Sequence, residues 1–362
     1  MRLVSPLLKR VVYPTLSRIG YLHRYAERGQ LSVVTYHGVL PAGYKVTDLQ
    51  LDGSWVAPDV FRRQLRLLRS HYNVVSPSQV RSWCKAEGSL PPRAVLLTCD
   101  DGLANAVTDM LPILQEEGLR CLFFVTSRSL AEEPSMLWYE ELYFTLMDVP
   151  EGAFEGTFCG VPVKARLNSS LPQRTSCWYG LVETLSKCDA QARLGFARAI
   201  REKFCFPSDW SLQYFERGAS RRFRLLTLSE IRRLLAAGME IGAHTVSHPK
   251  LSQLPADSSW KEIAESRSDL EKALGVPVWS IAYPFGGTDS VSTREMQMAE
   301  RAGYDCAFIN FGGGFRKDTP WFGIPRVHIS LDTTVPEFEA HVSGLHEGLR
   351  RRFGRREQIA ST

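Results

Sequence analysis

The stretch Val95-Leu96-Leu97-Thr98-Cys99-Asp100-Asp101-Gly102 decides how the chain reads. An apolar run of this length predicts a strand buried on both faces, the kind found in parallel sheets. It ends in two adjacent carboxylates followed by a glycine. Like charges a few ångströms apart raise each other's pKa, so such a pair is costly to hold without a cation or a shared proton. One carboxylate on a metal ion, with its neighbour free to act as a base, satisfies that constraint. Matching groups occur elsewhere: His244-Thr245-Val246-Ser247-His248 offers two imidazoles and Tyr36-His37-Gly38 a third.

The chain has 362 residues, enough for one large domain or a domain with an insertion. Its composition, 44% apolar and 23% charged, is that of an ordinary folded protein and excludes a low-complexity chain. The net charge of +5 is modest and lies largely at the ends, in Lys9, Arg10, Arg18, Arg24 and Arg28 and in Arg350-Arg351-Arg352 with Arg355-Arg356. With no reading motif beside it, this charge predicts no nucleic-acid partner. Terminal basic patches suit an anionic membrane surface or a solvated exterior. No apolar run approaches the ~20 residues of a membrane span. Residues 3–8 are too short, and too soon cut by Lys9-Arg10 and Pro14, to serve as a secretory signal. The expected location is therefore cytoplasmic, with the inner face of the membrane as the surface that the basic ends would meet. The eight cysteines show no CxxC pair and no zinc-ribbon spacing; Cys159, Cys177, Cys188 and Cys205 are the set that would pair in an oxidising compartment. Oligomeric state is left open.

Five segments are expected. Residues 1–30 predict a basic amphipathic helix interrupted at Pro14, with Leu3, Leu7, Leu8, Val11 and Val12 on one side, suited to a membrane surface. Residues 31–130 alternate strands at 31–36, 95–99 and 121–125 with helices at 58–70 and 103–117. Over 131–224 that rhythm is lost: a helix begins at Trp138, a hairpin turns near Gly160, and a helix runs over 191–204, which together predict an inserted, mostly helical subdomain. Residues 225–335 resume the alternation, with strands at 239–243, 279–282 and 306–310 and helices at 227–237, 258–274 and 292–302. A last helix at 336–352 and a basic tail complete 336–362. Such alternation predicts an α/β layer or barrel. Strand ends at His37, Asp100, His244 and Tyr283 would then open on one face, where parallel barrels carry their chemistry.

One carboxylate and two imidazoles leave open positions on a divalent ion, the arrangement of a catalytic rather than a structural metal site. A lone HxxxH is weak evidence; beside an Asp-Asp-Gly strand end it becomes far more specific. An ion held there polarises a substrate carbonyl and lowers the pKa of a bound water. Asp101 is the expected ligand with His244 and His248, and Asp100 the base that takes the proton of that water. The leaving amine needs a general acid, for which His37 and His328 both stand near strand ends. Tyr283-Pro284-Phe285-Gly286-Gly287 reads as a tight turn after a strand. Its amides could approach an oxyanion and its aromatics could wall a pocket, although the same string suits an ordinary β-turn.

Thr98-Cys99-Asp100-Asp101-Gly102, His244-Thr245-Val246-Ser247-His248 and Tyr283-Pro284-Phe285-Gly286, in that order, resemble the first three motifs of the polysaccharide deacetylases, the chitooligosaccharide-deacetylase-like domains of carbohydrate esterase family 4. The flanking sequence resembles that family over 31–126 and 225–330. The resemblance implies a distorted (β/α) barrel with an inserted, mostly helical subdomain. It also implies a hydrolase of linear amides that removes an acetyl group from an N-acetylated amino sugar, in a polysaccharide or a lipid-linked glycan precursor. By the same resemblance Asp101, His244 and His248 bind the metal, Zn2+ first and Ni2+, Co2+ or Mn2+ as alternatives. Asp100 is then the base, and Tyr283, Pro284, Phe285 and Gly286 border the substrate.

Two departures stand out. Cys99 replaces the usual Phe, and Ala282 replaces the arginine that tethers the base in many members; Arg326 is expected to take over that tether. The late Leu-x-x-His motif is not clearly present. In the branch resembling the poly-N-acetylglucosamine deacetylases an early Tyr-His supplies the acid, which here is His37, preferred to His328 because 326–329 alternates like a strand with His328 in its core. Two alternatives remain: hydrolysis of another acyl amide, with the insertion setting the substrate, and a catalytically inactive glycan-binding protein, against which the full set of motif residues argues.

Overall fold

A computed structural model gives the fold, and it describes residues 6–26, 31–46, 48–131, 134–158, 161–216, 220–312, 314–315 and 319–353. Among these, the strands are β1 (Leu31–Tyr36), β2 (Asn73–Val74), β3 (Ala94–Cys99), β4 (Leu122–Val125), β5 (Gly152–Phe158), β6 (Val161–Leu167), β7 (Glu240–Ala243), β8 (Ser280–Ala282), β9 (Cys306–Gly312) and β10 (Ile324–His328). Seven of them close a parallel ring in the order β1-β10-β9-β8-β7-β4-β3, with β3 returning to β1 through six residue pairs from Leu31↔Ala94 to Tyr36↔Cys99. β2 pairs only with the first residues of β3, and β5 and β6 form a separate antiparallel hairpin. The (β/α) barrel is therefore present.

Period-two alternation sorts every barrel strand into two faces. Leu31, Val33, Leu96, Leu122, Phe124, Phe308 and Ile324 pack together inside the ring, where Phe124 of β4 meets Phe308 of β9 at 5.4 Å between ring centroids. Val34, Tyr36, Val95, Leu97, Phe123, Ile241, Ile281 and Val327 join the core under the surrounding helices. Continuing the inward set along each strand leads to His37, Asp100, His244 and His328 at the C-terminal mouth.

The residues of 131–224 build a core of their own. Helices Trp138–Asp148, Leu171–Leu185 and Ala190–Lys203 bury Leu142, Leu146, Trp178, Leu185 and Phe196 beside the hairpin. The helix at Leu171–Leu185 was not expected from sequence, because Pro172 and a polar first turn precede its apolar positions Trp178, Leu181, Val182 and Leu185. Cys177 and Cys205 carry free thiols, and Cys159 lies outside the described residues.

Three expected elements differ. The helix anticipated at 103–117 begins at Ala106, because Leu103 is taken up in a bridge to Leu225. The anticipated single helix at 336–352 is two, Val335–Val342 and Leu345–Phe353, separated where Gly344 takes φ +79°. Pro14 does not end the N-terminal helix: a π-helical turn over Leu8–Val12 passes directly into Tyr13–Arg18, and the break comes at Gly20.

The apolar side read for this segment is also split. Leu8 and Val12 turn inward with Tyr13 and Leu22 against Ala340 and Leu345, whereas Leu7 and Val11 face outward at 62% and 53% exposure. Lys9 is bound to Asp332 and Glu337, both at 3.0 Å, so part of the basic charge is spent within the fold. Leu3, Arg28, Arg355 and Arg356 fall outside the described residues. No described helix is long and apolar enough to cross a membrane.

Gly242 of β7 faces the barrel interior, and a Cβ there would lie 2.5 Å from the buried Phe124 ring. Gly242→Val should therefore lower stability by about 1–3 kcal/mol through overpacking. A urea midpoint equal to that of the parent protein would contradict this packing.

Candidate active site

Asp100 is the first residue past β3 and is almost fully buried. Both of its oxygens are engaged by one guanidinium: Arg326 Nη1 donates to Oδ1 and Nη2 to Oδ2, each at 2.7 Å. Arg326 comes from β10, is itself buried, and also donates to Thr98 Oγ1 and to the carbonyl of Ile309. A register shift between Pro325 and Arg326 in the β9–β10 pairing accompanies this placement; such irregularities re-aim side chains near active sites. Burial by itself would push the Asp100 carboxyl up. The charges of Arg326, then His244 and His37, with the hydrogen bonds from Arg326, outweigh it and hold the group below its ordinary range. Asp100 is thus a buried, ionised carboxylate.

Asp101 follows with φ +75°, in the left-handed region, so its side chain diverges from that of Asp100. Its Oδ1 lies 3.4 Å from His244 Nε2 and 3.2 Å from His248 Nε2. Four ligands about 2.0–2.1 Å from a tetrahedral ion stand roughly 3.3–3.4 Å apart. The separations from Asp101 match that spacing, and all three donor atoms lie within 4.8 Å of one another. His244 Nδ1 sits 2.7 Å from the carbonyl of Ala282, which fixes that nitrogen as the N–H and leaves the Nε2 lone pair toward Asp101. Burial lowers the His248 pKa, with Asp101 opposing, which favours the neutral imidazole that a metal ligand requires. One carboxylate and two imidazoles form a suitable donor set for a divalent transition ion.

The loop between the histidines is held from several sides. Thr245 and His248 both adopt positive φ (65° and 59°), a strain of order 1–3 kcal/mol each that persists only where surroundings over-determine it. Glu262 Oε2 accepts from the amides of Val246 and Ser247 at 2.9 and 2.8 Å, and Thr245 Oγ1 accepts from the amide of His248 at 3.1 Å. From the inserted segment, Trp138 Nε1 donates to the His248 carbonyl and Arg193 Nη2 to Ser247 Oγ.

These groups open into a cavity of about 450 Å3. His37 and His328 share its wall with their rings edge to face at 5.0 Å, and His37 Nδ1 has no hydrogen-bond partner among the described residues. Burial, reinforced by the neighbouring His37, lowers the His328 pKa to about 3, so His328 is neutral. His328 therefore lines the site; it is not confined to the core between strands and helices. Of the turn after β8, Tyr283 and Phe285 line the cavity, whereas Pro284 and Gly286 do not. The amide of Tyr283 is spent on the Phe308 carbonyl and that of Gly286 on the Pro284 carbonyl, so neither is available to an oxyanion.

Sequence reading missed the far wall. Tyr139, Glu140, Trp178, Tyr179, Glu183 and Arg222 of the inserted segment, with Trp55 from the loop after β1, close the cavity. Lys250 joins this wall to the barrel, with Nζ 2.9 Å from Glu183 and 3.0 Å from Asp289. No motif marks these positions. The available signal was the clustering of aromatic with charged residues at 138–141, a pattern equally consistent with the edge of a core.

Removing one partner of a buried ion pair leaves the other uncompensated, at a cost of about 3–5 kcal/mol. Arg326→Met should cost about that much, and Asp100→Asn in the same chain should restore a large part of it. Urea unfolding of the single and double variants checks this; a double variant as unstable as Arg326→Met alone would show that the pair is not the source.

The sequence model of the family described as polysaccharide deacetylase matches residues 87–141 and 201–307. A relative in Bacillus subtilis (strain 168), YxkH, whose own assignment as a polysaccharide deacetylase is provisional, is 22% identical over 120 residues. That alignment takes in 33% of this chain, and the chain spans 42% of the relative's length. Among solved structures, the Streptococcus pyogenes deacetylase PplD in complex with acetate superposes with a TM-score of 0.54 at 17% identity, over 86% of this chain and 97% of that one. IcaB from Ammonifex degensii gives 0.54 at 17% identity, over 87% and 97%. At such identities the structural likeness is one of fold, the barrel described above. The matched segments, which together make up less than half of this chain, contain Asp100, Asp101, His244, His248 and Tyr283, so it is at the cavity that the chain is similar to the polysaccharide deacetylase family.

Proposed function

We propose that the protein is a metal-dependent hydrolase that removes the acetyl group from an N-acetylated amino sugar. The observation that carries this reading is the convergence of Asp101, His244 and His248 on one donor cluster beside an ionised, Arg326-bound Asp100, inside a cavity. Asp101, His244 and His248 would hold a divalent ion, zinc by the nature of the ligands, with nickel, cobalt or manganese as substitutes. Such an ion supplies Lewis-acid polarisation of the amide carbonyl and a more acidic water.

Asp100 takes the proton of the attacking water. Each of its oxygens accepts from Arg326 and retains a second lone pair, and the guanidinium keeps the group ionised until the proton arrives. The leaving amine nitrogen needs a proton in return. We assign that proton to His37, which lines the cavity with its ring 5.0 Å from that of His328. Trp55, Tyr139, Trp178 and Phe285 line the cavity, and aromatic side chains suit the apolar C–H face of a pyranose. The sugar belongs to a polysaccharide or to a lipid-linked glycan.

A lipid-linked substrate finds support at the N-terminal helices. Exposed Leu7, Val11, Ile19 and Tyr21 lie among exposed Arg10, Arg18 and Arg24, a combination suited to an anionic lipid surface. Sedimentation with phosphatidylglycerol vesicles but not with phosphatidylcholine vesicles is expected, and should be lost in a Leu7→Asp, Val11→Asp variant. Equal sedimentation of parent and variant would remove this surface from consideration.

Acetate release from N-acetylglucosamine oligomers and from lipid-linked N-acetyl sugars tests the activity. Release should stop on chelation and return with a divalent ion. Asp100→Asn should keep its metal content and lose about 10²–10⁴-fold in turnover, whereas His248→Gln should lose the metal itself, read by elemental analysis. Full turnover by Asp100→Asn would sink the mechanism. A metal-loaded protein that frees acetate from none of these acceptors would direct attention to other acyl amides.

A further inference from the structure

Glu140 takes no part in the chemistry above, yet its setting is that of a built binding group. It is 1% exposed, lines the cavity together with Asp100 and Asp101, and follows Tyr139, whose ring lies 5.5 Å from that of His248. Its Oε1 accepts from Arg222 Nη1 at 2.6 Å. That guanidinium is fixed on every other side: Nε donates to Asp52 Oδ1 at 2.8 Å, Nη2 donates to the Leu51 carbonyl at 2.7 Å, and the plane sits 4.1 Å from the centroid of the Trp55 ring and 4.4 Å from that of Phe223. The carboxylate is thereby locked in orientation. Its second oxygen, Oε2, is buried and accepts no hydrogen bond from any described residue.

A buried acceptor without a donor is rare in native structures and costs about 1–3 kcal/mol, more when charged. Glu140 stands outside the Asp101, His244 and His248 donor cluster and lines the cavity, where a bound substrate can bring that donor. Its neighbours on the cavity wall are the rings of Trp55, Tyr139 and Trp178 and the side chain of Leu51. An acceptor on a wall that also carries aromatic and aliphatic side chains suits a sugar ring, which carries hydroxyls at the edge of an apolar face.

We propose that Glu140, oriented by Arg222, is the specificity residue that accepts a hydrogen bond from one ring hydroxyl of the amino sugar. This inference rests on the deacetylase reading for the identity of the sugar. Burial pushes the Glu140 carboxyl up to about 7 against the pull of Arg222, so a hydroxyl that meets it above that pH forms a charge-assisted bond, and a site built to bind a hydroxyl discriminates strongly against the analogue that lacks it.

The test compares N-acetylglucosamine oligomers with their 3-deoxy, 4-deoxy and 6-deoxy analogues, using wild type and Glu140→Gln, a variant that preserves volume and the contact to Arg222. Acetate release gives kcat/KM, and quenching of tryptophan fluorescence gives affinity without turnover. For the wild type, one analogue should fall by about 10- to 100-fold, the size of a hydrogen bond to a charged group, and the other two far less. In Glu140→Gln that ratio should shrink toward unity, a result that a merely structural role would not produce. Wild-type acetate release with no discrimination among the analogues, or with discrimination kept in the variant, overturns the inference and leaves the deacetylase reading standing. No acetate release, but hydroxyl-selective binding that vanishes in Glu140→Gln, upholds the inference and defeats the reading. Neither release nor binding overturns both.

Discussion

Two carboxylates placed side by side at the end of a fully buried strand would repel each other and resist ionisation, and the structure around them is arranged to remove that conflict. The bidentate pair between Asp100 and Arg326 does most of it. The guanidinium is delivered from β10, past the intervening β1, into the space above the inward layer formed by Phe124 and Phe308. In that setting the pair is barely screened by water, so the attraction is strong and the loss of either partner is costly. With Asp100 neutralised by a permanent cation, the second carboxylate is free to turn toward the imidazoles. The left-handed backbone at Asp101 performs that turn.

Strain is concentrated in the same place. Asp101, Thr245, His248 and Phe285 all take positive φ without being glycine, and all lie at the barrel mouth. Their conformations are enforced by neighbours: Glu262 pins the amides of the 245–247 turn, and Trp138 and Arg193 of the inserted segment tie down its carbonyl and hydroxyl. Preorganisation of this kind is set during folding, so the donor atoms need not be gathered by the ligand. The inserted segment thus does two things. It closes one side of the cavity, and it braces the loop on which two of the three donor atoms depend.

Much of the barrel was legible from sequence because it rests on local rules. Buried parallel strands announce themselves as short apolar runs, and their period of two carries the inward set Val33, Thr35, His37 or Leu96, Thr98, Asp100 to the mouth without further information. The Asp-Asp-Gly end and the HxxxH spacing were equally local. Helix breaks were less legible: the left-handed glycine at Gly344 splits an amphipathic pattern that otherwise runs unbroken, and Pro14, where pattern reading placed a break, follows a π-helical turn that carries the helix past it.

The sequence by itself determined the α/β alternation, the strand ends that open on the cavity, and the residues Asp100, Asp101, His244 and His248 as candidates, because each is a matter of spacing along one segment. Only the tertiary structure decided which distant side chains meet them. Arg326 was expected from the resemblance as the tether of Asp100, but its two-pronged contact, made from 226 positions away, exists only once the ring has closed. His328 faces the cavity beside His37, and Glu140, Arg222 and Asp52 assemble across 170 positions of chain. Such meetings depend on how the ring closes and on where the inserted segment docks. Those outcomes follow from the summed packing of many residues, which no short motif encodes.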